Sequence, residues 1–379
     1  MVEILEVKSK GDIKEFIELP LKMYKKCPQY VPALYSDEVE MLTSGGKTNE
    51  YESVFYLAKK DGYTVGRIQG VLHNRCNEIK NEKRVRFTRF DSIDDKEVSN
   101  ALFSAVEDWA RERGMTSVCG PLGCSILARD GLLVWGFDKN CNYGGQYNYE
   151  YYGELIESYG FKKEADWVEF ELSAFEKKDK KLEMIAKRAM ELNKLHIADS
   201  SISKNEYINK YAKSFFETID ACYRDLYGTV PISEEQRAEM MKQFYKAVDS
   251  DHMIFICNKR DEVVACGIAF PAIGDAIKKS GGKKTPFTLL KLKRAIKKPR
   301  VLDLGMIAIR PEYQNAGIGA IIINALADLL TVGRIEKCET NLVLETNTQL
   351  IAQWKYLNSR YHRRRRAYVK NISREKNDA

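Results

Sequence analysis

The sequence predicts an α+β fold of two tandem units, each a mostly antiparallel, twisted mixed sheet flanked by helices. Three observations carry that expectation. One order of strands and helices occurs twice, about 200 residues apart. Within each round the β-rich runs are joined by short turns, which suits antiparallel neighbours. Apolar residues make up 44% of the 379 and are spread along the chain, enough for a core in each of two ordinary domains. The same composition excludes collagen-like, mucin-like and disordered chains.

In the first round, Val2–Lys8 alternates as a strand and Asp12–Tyr24 carries a helical apolar stripe through Ile13, Phe16, Ile17 and Leu21. Val54–Ala58 then leads through Lys59-Lys60-Asp61-Gly62 into Thr64–Val71, a hairpin marked by its Asp-Gly turn. In the second round Met253–Cys257 turns through Asn258–Asp261 into Glu262–Ile268, with Asp261 in the place of Asp61. Asn148–Ile156 likewise resembles Asn347–Ala352, each ahead of a helix and a last strand, Asp166–Leu172 or Arg364–Asn371. The join is expected in the charged, apolar-poor stretch Ser173–Lys181, giving domains at 1–175 and 176–379, with Met184–Leu195 a helix entering the second.

The most informative stretch is Val301–Leu330. Val301–Ile309 reads as a strand, Arg310-Pro311-Glu312-Tyr313 breaks it, and Gln314–Ala320 opens into a helix that ends near Gly333. A glycine-bearing turn ahead of a helix aims unpaired main-chain N–H groups at one point, and the positive end of the helix dipole adds to their pull on a phosphate. Glycines at 317 and 319 leave the backbone open to a ligand, although close helix–strand packing would use them too. A P-loop is excluded, because no Gly-Lys-Ser/Thr follows. A dinucleotide fingerprint fails as well: Ile322 stands where its third glycine belongs, and Arg310–Gln314 separate the glycines from the strand.

Ile307–Gly319 resembles the acyl-coenzyme A signature of the GNAT acyltransferase superfamily: an apolar strand, a proline, then Gln/Arg-x-x-Gly-x-Gly/Ala. The resemblance implies that Ile307, Ala308 and Ile309 meet the pantetheine arm of acetyl-coenzyme A or another acyl-coenzyme A. It implies that Gln314, Asn315, Ala316, Gly317, Ile318, Gly319 and Ala320 hold its pyrophosphate. Asn341–Asn347 resembles the family's next landmark, a strand followed by asparagine at a helix start, and so implies a coenzyme contact at Asn347. These patterns cover most of residues 196–371. The first half resembles a GNAT unit in element order but lacks the loop motif. Asp91, Asp94 and Asp95 stand where a pyrophosphate would go and would repel it, so no coenzyme is expected there. Gly120–Gly123 and Asp130–Asp138 resemble a bacterial tandem-GNAT group, and the tyrosines 143, 147, 149, 151 and 152 line a cleft or pack around a loop.

Acyl transfer from a thioester to an amine needs a deprotonated nitrogen, a polarised carbonyl and a proton for the leaving thiolate. Asp303 lies six residues before Ile309, the spacing at which some histone-acetylating members carry their base. By strand alternation it would share a face with Gly305, Ile307 and Ile309. Glu345, on the neighbouring strand, is the second candidate; for both, a solvated or ion-paired strand end is the alternative. Trp354 replaces the family's usual tyrosine acid and cannot donate a proton at neutral pH. Tyr356, about 200° further round a helix, is the nearest other phenol and would face elsewhere. Unassisted departure of the thiolate, or a tyrosine from the first unit, would also complete the step.

Lys278–Arg300 holds ten Lys/Arg and no acid, and a helix over Thr288–Lys298 would place Leu289, Leu292 and Ile296 on one side. Such an insertion could dock an acyl carrier protein, anionic lipid or nucleic acid, or be a solvated basic face. Arg363–Arg366 would turn alternate arginines to opposite sides of a strand, so that at most half could line one anionic site; a solvated basic face is the alternative. No aromatic-interleaved sheet or DNA-reading helix supports nucleic acid as a partner. No membrane-spanning run is present, and Met1–Glu6 lacks the plan of a secretory signal. Nine cysteines without a C-x-x-C pair predict reduced thiols in a cytoplasmic protein. Four dispersed histidines predict no metal. The expected activity is acyl-coenzyme A-dependent N-acyl transfer to a small amine or amino-acid-like acceptor, by direct attack on the thioester. Two rivals remain, an acyltransferase fed by acyl carrier protein and a non-catalytic acyl-coenzyme A sensor or interaction module.

Overall fold

A computed structural model describes residues 1–44, 50–176, 179–331 and 335–373. The chain packs as two units, one from Met1–Trp167, Gly274–Leu289 and the chain from Arg363 on, the other from Val168–Ile273 and Leu290–His362. Lys177 and Lys178 of the expected join, and the expected helix end near Gly333, lie outside the described residues.

The first half of the chain runs β1 (Val2–Glu6), α1 (Lys10–Met23), α2 (Tyr35–Thr43), β2 (Tyr51–Lys60), β3 (Tyr63–His73), α3 (Asn74–Lys80), β4 (Arg84–Ser92) and α4 (Lys96–Glu112). It continues with β5 (Ser117–Gly120), β6 (Leu132–Trp135), α5 (Tyr152–Ser158) and β7 (Lys162–Ser173). The β2–β3 turn places Asp61 and Gly62 at φ +53° and +79°, both in the left-handed region. That is the two-residue geometry matched to strand twist, as the Asp-Gly pair implied. Strands β1 to β4 are antiparallel neighbours, and β5 joins β4 in parallel. Helix α4 buries Val98, Leu102, Phe103, Val106 and Trp109, the i, i+4, i+5, i+8, i+11 stripe of an amphipathic helix.

The second half runs α6 (Lys180–Asn193), β8 (His196–Ile197), α7 (Lys204–Tyr223), α8 (Glu234–Ala247), β9 (Met253–Cys257), β10 (Val263–Pro271), α9 (Gly274–Lys278) and α10 (Pro286–Lys297). Then come β11 (Val301–Ile309), α11 (Ile318–Thr331), β12 (Lys337–Thr340), β13 (Val343–Leu344), α12 (Thr348–Gln353) and β14 (Asn358–Asn371). Strands β8, β9, β10 and β11 are antiparallel in that order, β12 joins β11 in parallel, and the end of β7 pairs with β12. Side-chain oxygens cap the starts of α6, α7 and α8, from Asp179, Ser203 and Ser233.

Two sequence expectations take a definite form here. The arginine run is neither a solvated face nor an anion site. Arg363 and Arg365 are fully buried, bonding the Asn140 and Gln146 carbonyls, while Arg364 and Arg366 share the Asp166 carboxylate, with Arg366 Nε at 2.8 Å. Buried guanidiniums with fixed acceptors lock this strand, which pairs with β5 and β6. The tyrosine cluster is packing rather than an open cleft. Tyr152 is fully buried, Tyr149 and Tyr151 stack at 5.7 Å, and the Tyr24 and Tyr152 hydroxyls both bond Asp91. All nine cysteines are free thiols.

Candidate active site

The site grows from the middle strand of the second unit. Strand β11 pairs with β12 only through Val301–Leu304, closing with Asn341 N–H on Leu304 O at 3.0 Å, while its ladder with β10 continues to Ile309. Beyond Leu304 the strand therefore has one neighbour. Arg310 N–H bonds Val264 O, so residues in phase with it turn their main chain toward β10. Ile307 and Ile309 turn theirs to the opened side. Their carbonyls accept there from Tyr223 Oη at 3.2 Å and Gln314 Nε2 at 3.3 Å.

A bulge changes which side chains share a face. Ile268 pairs with Met306 but Ala269 pairs with Leu304, so Gly305 is the extra residue. A Cβ there would lie 2.2 Å from the Phe270 ring, which is why glycine is needed. Leu302 and Leu304 pack with Ile323 and Leu326 of α11, and Ile307 and Ile309 pack with Ile318, Ile321 and Ile322 of the same helix. Asp303 is therefore on the face opposite Ile307 and Ile309, with Met306 and Ala308. The expectation that it shares their face is corrected, because an unbroken period of two does not survive an extra residue.

After Ile309, Arg310 is tied by its Nε to Thr218 Oγ1 at 2.9 Å, and Pro311–Tyr313 makes one 3₁₀ turn. Asn315 and Gly317 then adopt φ +62° and +78°, and α11 begins at Ile318 with no acidic residue in its first turn. Gln314, Asn315 and Gly317 are exposed. Ile318 and Ala320 bury their side chains in the core, so they can serve a ligand only through main-chain N–H groups. Ala316 O accepts from Asn193 Nδ2 of α6, and Asn315 Oδ1 from Gln349 Nε2. A Cβ at Gly319 would lie 2.3 Å from Gln353 Oε1, so that glycine also serves packing. Asn347 caps α12, its Oδ1 accepting from Leu350 N–H at 3.2 Å, which leaves its NH2 for a ligand.

The remaining predicted residues fall differently. Glu345 is in a turn after the two-residue β13 rather than on a strand, because the expected strand over Asn341–Asn347 is broken. Trp354 is buried in the core with Leu302, Leu326 and Leu357 and so plays a packing part. Tyr356 packs half-buried against that core, under the Lys355 ammonium.

Several polar residues went unseen in the sequence. Register places Glu171, Glu339 and Asp303 side by side on β7, β12 and β11. Lys337 bonds Glu171 at 2.7 Å and Glu339 at 3.0 Å, Arg360 bonds Glu171 at 2.9 Å, and His362 Nε2 is 3.7 Å from Glu339. Burial pushes the Glu171 carboxyl up, but the Lys337 hydrogen bond and nearby positive charge hold it below its ordinary value. Among the described residues, two groups bring possible metal-ligand atoms together, Glu171–Glu339–His362 and His196–Cys257–Asp261, the atoms within each group lying within 4.8 Å of one another. In each a lysine already bonds carboxylate, Lys337 in the first and Lys210 on Asp261 at 2.6 Å in the second. Burial also pushes the Tyr223 phenol well up, so it keeps its proton, and raises the Cys222 thiol to about 11. The alternation of Lys337 and Glu339 was the one local hint of this group; its partners come from remote segments.

An opened parallel strand pair, a bulge and a glycine turn entering a helix make up the candidate site. Residues 212–357 match the Acetyltransferase (GNAT) family model, and this part of the chain is a GNAT domain. At the level of fold the whole chain is similar to a tandem GNAT protein from the clavulanic acid biosynthesis pathway. That likeness has a TM-score of 0.58 and 12% identity, covering 99% of this chain and 100% of that one. A GCN5-related N-acetyltransferase from Sphaerobacter thermophilus is also similar, with a TM-score of 0.51 and 10% identity over 98% of this chain and 96% of that one. Among curated proteins, Protein YghO of Escherichia coli (strain K12) is 28% identical over 371 residues, 96% of this chain and 94% of that protein. Bacterial ceramide synthase of Caulobacter vibrioides (strain NA1000 / CB15N) is 25% identical over 386 residues, 98% of each. No helix among the described residues is long and apolar enough to cross a membrane.

Proposed function

We propose that the chain is an acyl-coenzyme A-dependent N-acyltransferase whose site is confined to the second unit. The observation that carries this is the opened edge of β11 running directly into the Asn315–Gly317 turn. The main-chain groups of Ile307 and Ile309 that face the opened side, now met only by side chains, match the amides of a pantetheine arm, and the N–H groups at the start of α11 match a pyrophosphate. Asn347 adds its NH2. The amine nitrogen attacks the thioester carbonyl, the C–N bond forms as the C–S bond breaks, and the thiolate leaves. Asp303, on the last rungs before β11 and β12 part, takes the amine proton. Tyr223, whose hydroxyl sits on the opened edge at the Ile307 carbonyl, gives a proton to the thiolate. Cys222 stays a thiol at neutral pH, which favours direct attack over an acyl-cysteine intermediate.

The acceptor is an amine, and similarity to a protein named Bacterial ceramide synthase widens its range. A ceramide is the amide of a fatty acid with a long-chain amino alcohol, so that class joins small amines and amino-acid-like acceptors. Thiol release from acetyl- and palmitoyl-coenzyme A across such a panel, with the amide identified by mass spectrometry, tests the reading. Donors on acyl carrier protein form a parallel arm. If acyl-coenzyme A binds and its thioester survives every amine, the protein is a sensor. Tyr223→Phe should lower kcat about a hundredfold with donor KM unchanged; an unchanged kcat removes Tyr223 as the acid.

A further inference from the structure

We infer that helix α10 is an interfacial anchor that seats the protein on a bilayer carrying anionic headgroups, independently of which reaction the site performs. Phe287 is 68% exposed, Leu289 49% and Leu290 65%. Among the described residues they are the one run of neighbouring exposed large apolar side chains, the others standing singly along the sequence. Scattered exposed apolar residues need no explanation, whereas a cluster of three does.

The inward face of α10 is already used. Thr288 is buried and Leu292 and Ile296 are half-buried, so the helix is docked on the protein and the first-turn side chains project from its outer side. There Phe287, Leu289 and Leu290 span about 160° of circumference. So broad an arc suits immersion in a fluid apolar medium better than insertion as a stripe into a groove on a folded partner. At 12 residues, the helix is too short to span a bilayer and can only lie on its surface.

Charge selects the headgroup. Lys293, Arg294, Lys297 and Lys298 are exposed on the same outer side and make no ion pair among the described residues. The helix dipole accounts for cations in the last turn. It does not account for a stretch, Lys278–Arg300, with ten cations and no acid. Apolar side chains at one end of a surface helix and unpaired cations along the rest make an anchor that enters the acyl boundary while binding phosphate-bearing lipid. A lipid substrate or product would be met at that surface.

The test is co-sedimentation of the full-length protein with phosphatidylcholine vesicles, with and without phosphatidylglycerol. The wild type should partition at least about tenfold more strongly onto the anionic vesicles, and added salt should weaken it. Lys293→Glu/Arg294→Glu/Lys297→Glu should lose about a hundredfold. Phe287→Ser/Leu289→Ser/Leu290→Ser should lose at least about tenfold. Phe287→Trp should show an emission blue shift on anionic vesicles alone. Thermal melting and acyl-coenzyme A affinity of all variants should match the wild type, which separates this outcome from misfolding and from failure of the acyltransferase reading. Equal binding to both vesicle types, unchanged binding of the charge variant, or capture by an acidic acyl carrier protein without vesicle binding would each overturn the proposal.

Discussion

The loops that enter α4 and α11 occupy the same place in two units of like element order, and they solve the helix start in opposite ways. Ahead of α4 the connection is three residues long, and Asp95 caps the helix with its own carboxylate, accepting from Glu97 N–H at 2.8 Å and from Lys60 Nζ at 2.7 Å. The Lys60 hydrogen bond holds the Asp95 carboxyl below its ordinary value. Ahead of α11 the connection spans Arg310–Gly317, no acid stands in the first turn, and Gly317 takes φ +78°. One helix supplies its own anion; the other leaves that position to main-chain donors.

The strand edges diverge in the same sense. In the first unit, β4 and β5 part after Arg86, and Leu122 N–H then returns to Phe87 O at 2.8 Å, so the chain itself takes the freed edge. In the second unit no strand takes the corresponding edge, and only side chains, the Tyr223 hydroxyl and the Gln314 amide among them, meet Ile307 and Ile309 there. Each middle strand carries a bulge, pinned differently. Arg89 at φ +49° is held by a paired bond to Glu38, at 2.8 and 3.0 Å, whereas Gly305 makes room for the Phe270 ring. A shared architecture thus leaves room for a ligand only where the chain has not filled it.

Gly317→Val should break the comparison most sharply. A β-branched residue at positive φ closes the turn and removes two or more charge-assisted bonds to phosphate, so coenzyme A affinity should fall by about a hundredfold or more in calorimetry. Unchanged affinity would place the nucleotide elsewhere.

The acid limb of stability should sharpen the contrast between the bulges. Burial alone would raise the Glu38 carboxyl, and the Arg89 charge overrides it, holding it at about 2. A group depressed in the folded state stabilises above its unfolded value, and that stability drains away as pH falls from about 4.3 toward about 2. Urea midpoints of the wild type should drop across that window by the equivalent of roughly 2–3 kcal/mol. Glu38→Gln, less stable at neutral pH, should lack this component of the slope. An identical slope in the variant would detach Glu38 from the effect.

The smallest effect is expected at the filled helix. Asp95→Ala should cost about 1 kcal/mol of stability in urea unfolding through loss of the cap, and leave coenzyme A affinity untouched. A rise in nucleotide binding by the first unit would show that this carboxylate alone had excluded it.

Local chemistry made much of this legible in the sequence. Asp61-Gly62 specifies its turn because few residues accept positive φ, and Gly317 marks the helix entry for the same reason. Asp95 identified itself as a charge where a phosphate would go. These features depend on neighbours a few residues away, and a neighbouring residue is visible in the chain order.

Other features depend on register between distant segments. Which face Asp303 occupies turns on the bulge at Gly305, where the Phe270 ring of another strand leaves no room for a Cβ. The grouping of Glu171, Glu339, Lys337 and His362 needs β7, β12 and β14 in their final alignment, and Tyr223 reaches Ile307 only once α7 has docked. The burial of Arg363 and Arg365 likewise depends on carbonyls more than 200 residues away. By itself the sequence determined the Asp61-Gly62 turn and the glycine turn that enters α11, since each follows from backbone sterics among near neighbours. Tertiary structure decided which carboxylates and phenol meet at the opened strand, because a one-residue bulge or shift in pairing reverses every side chain beyond it.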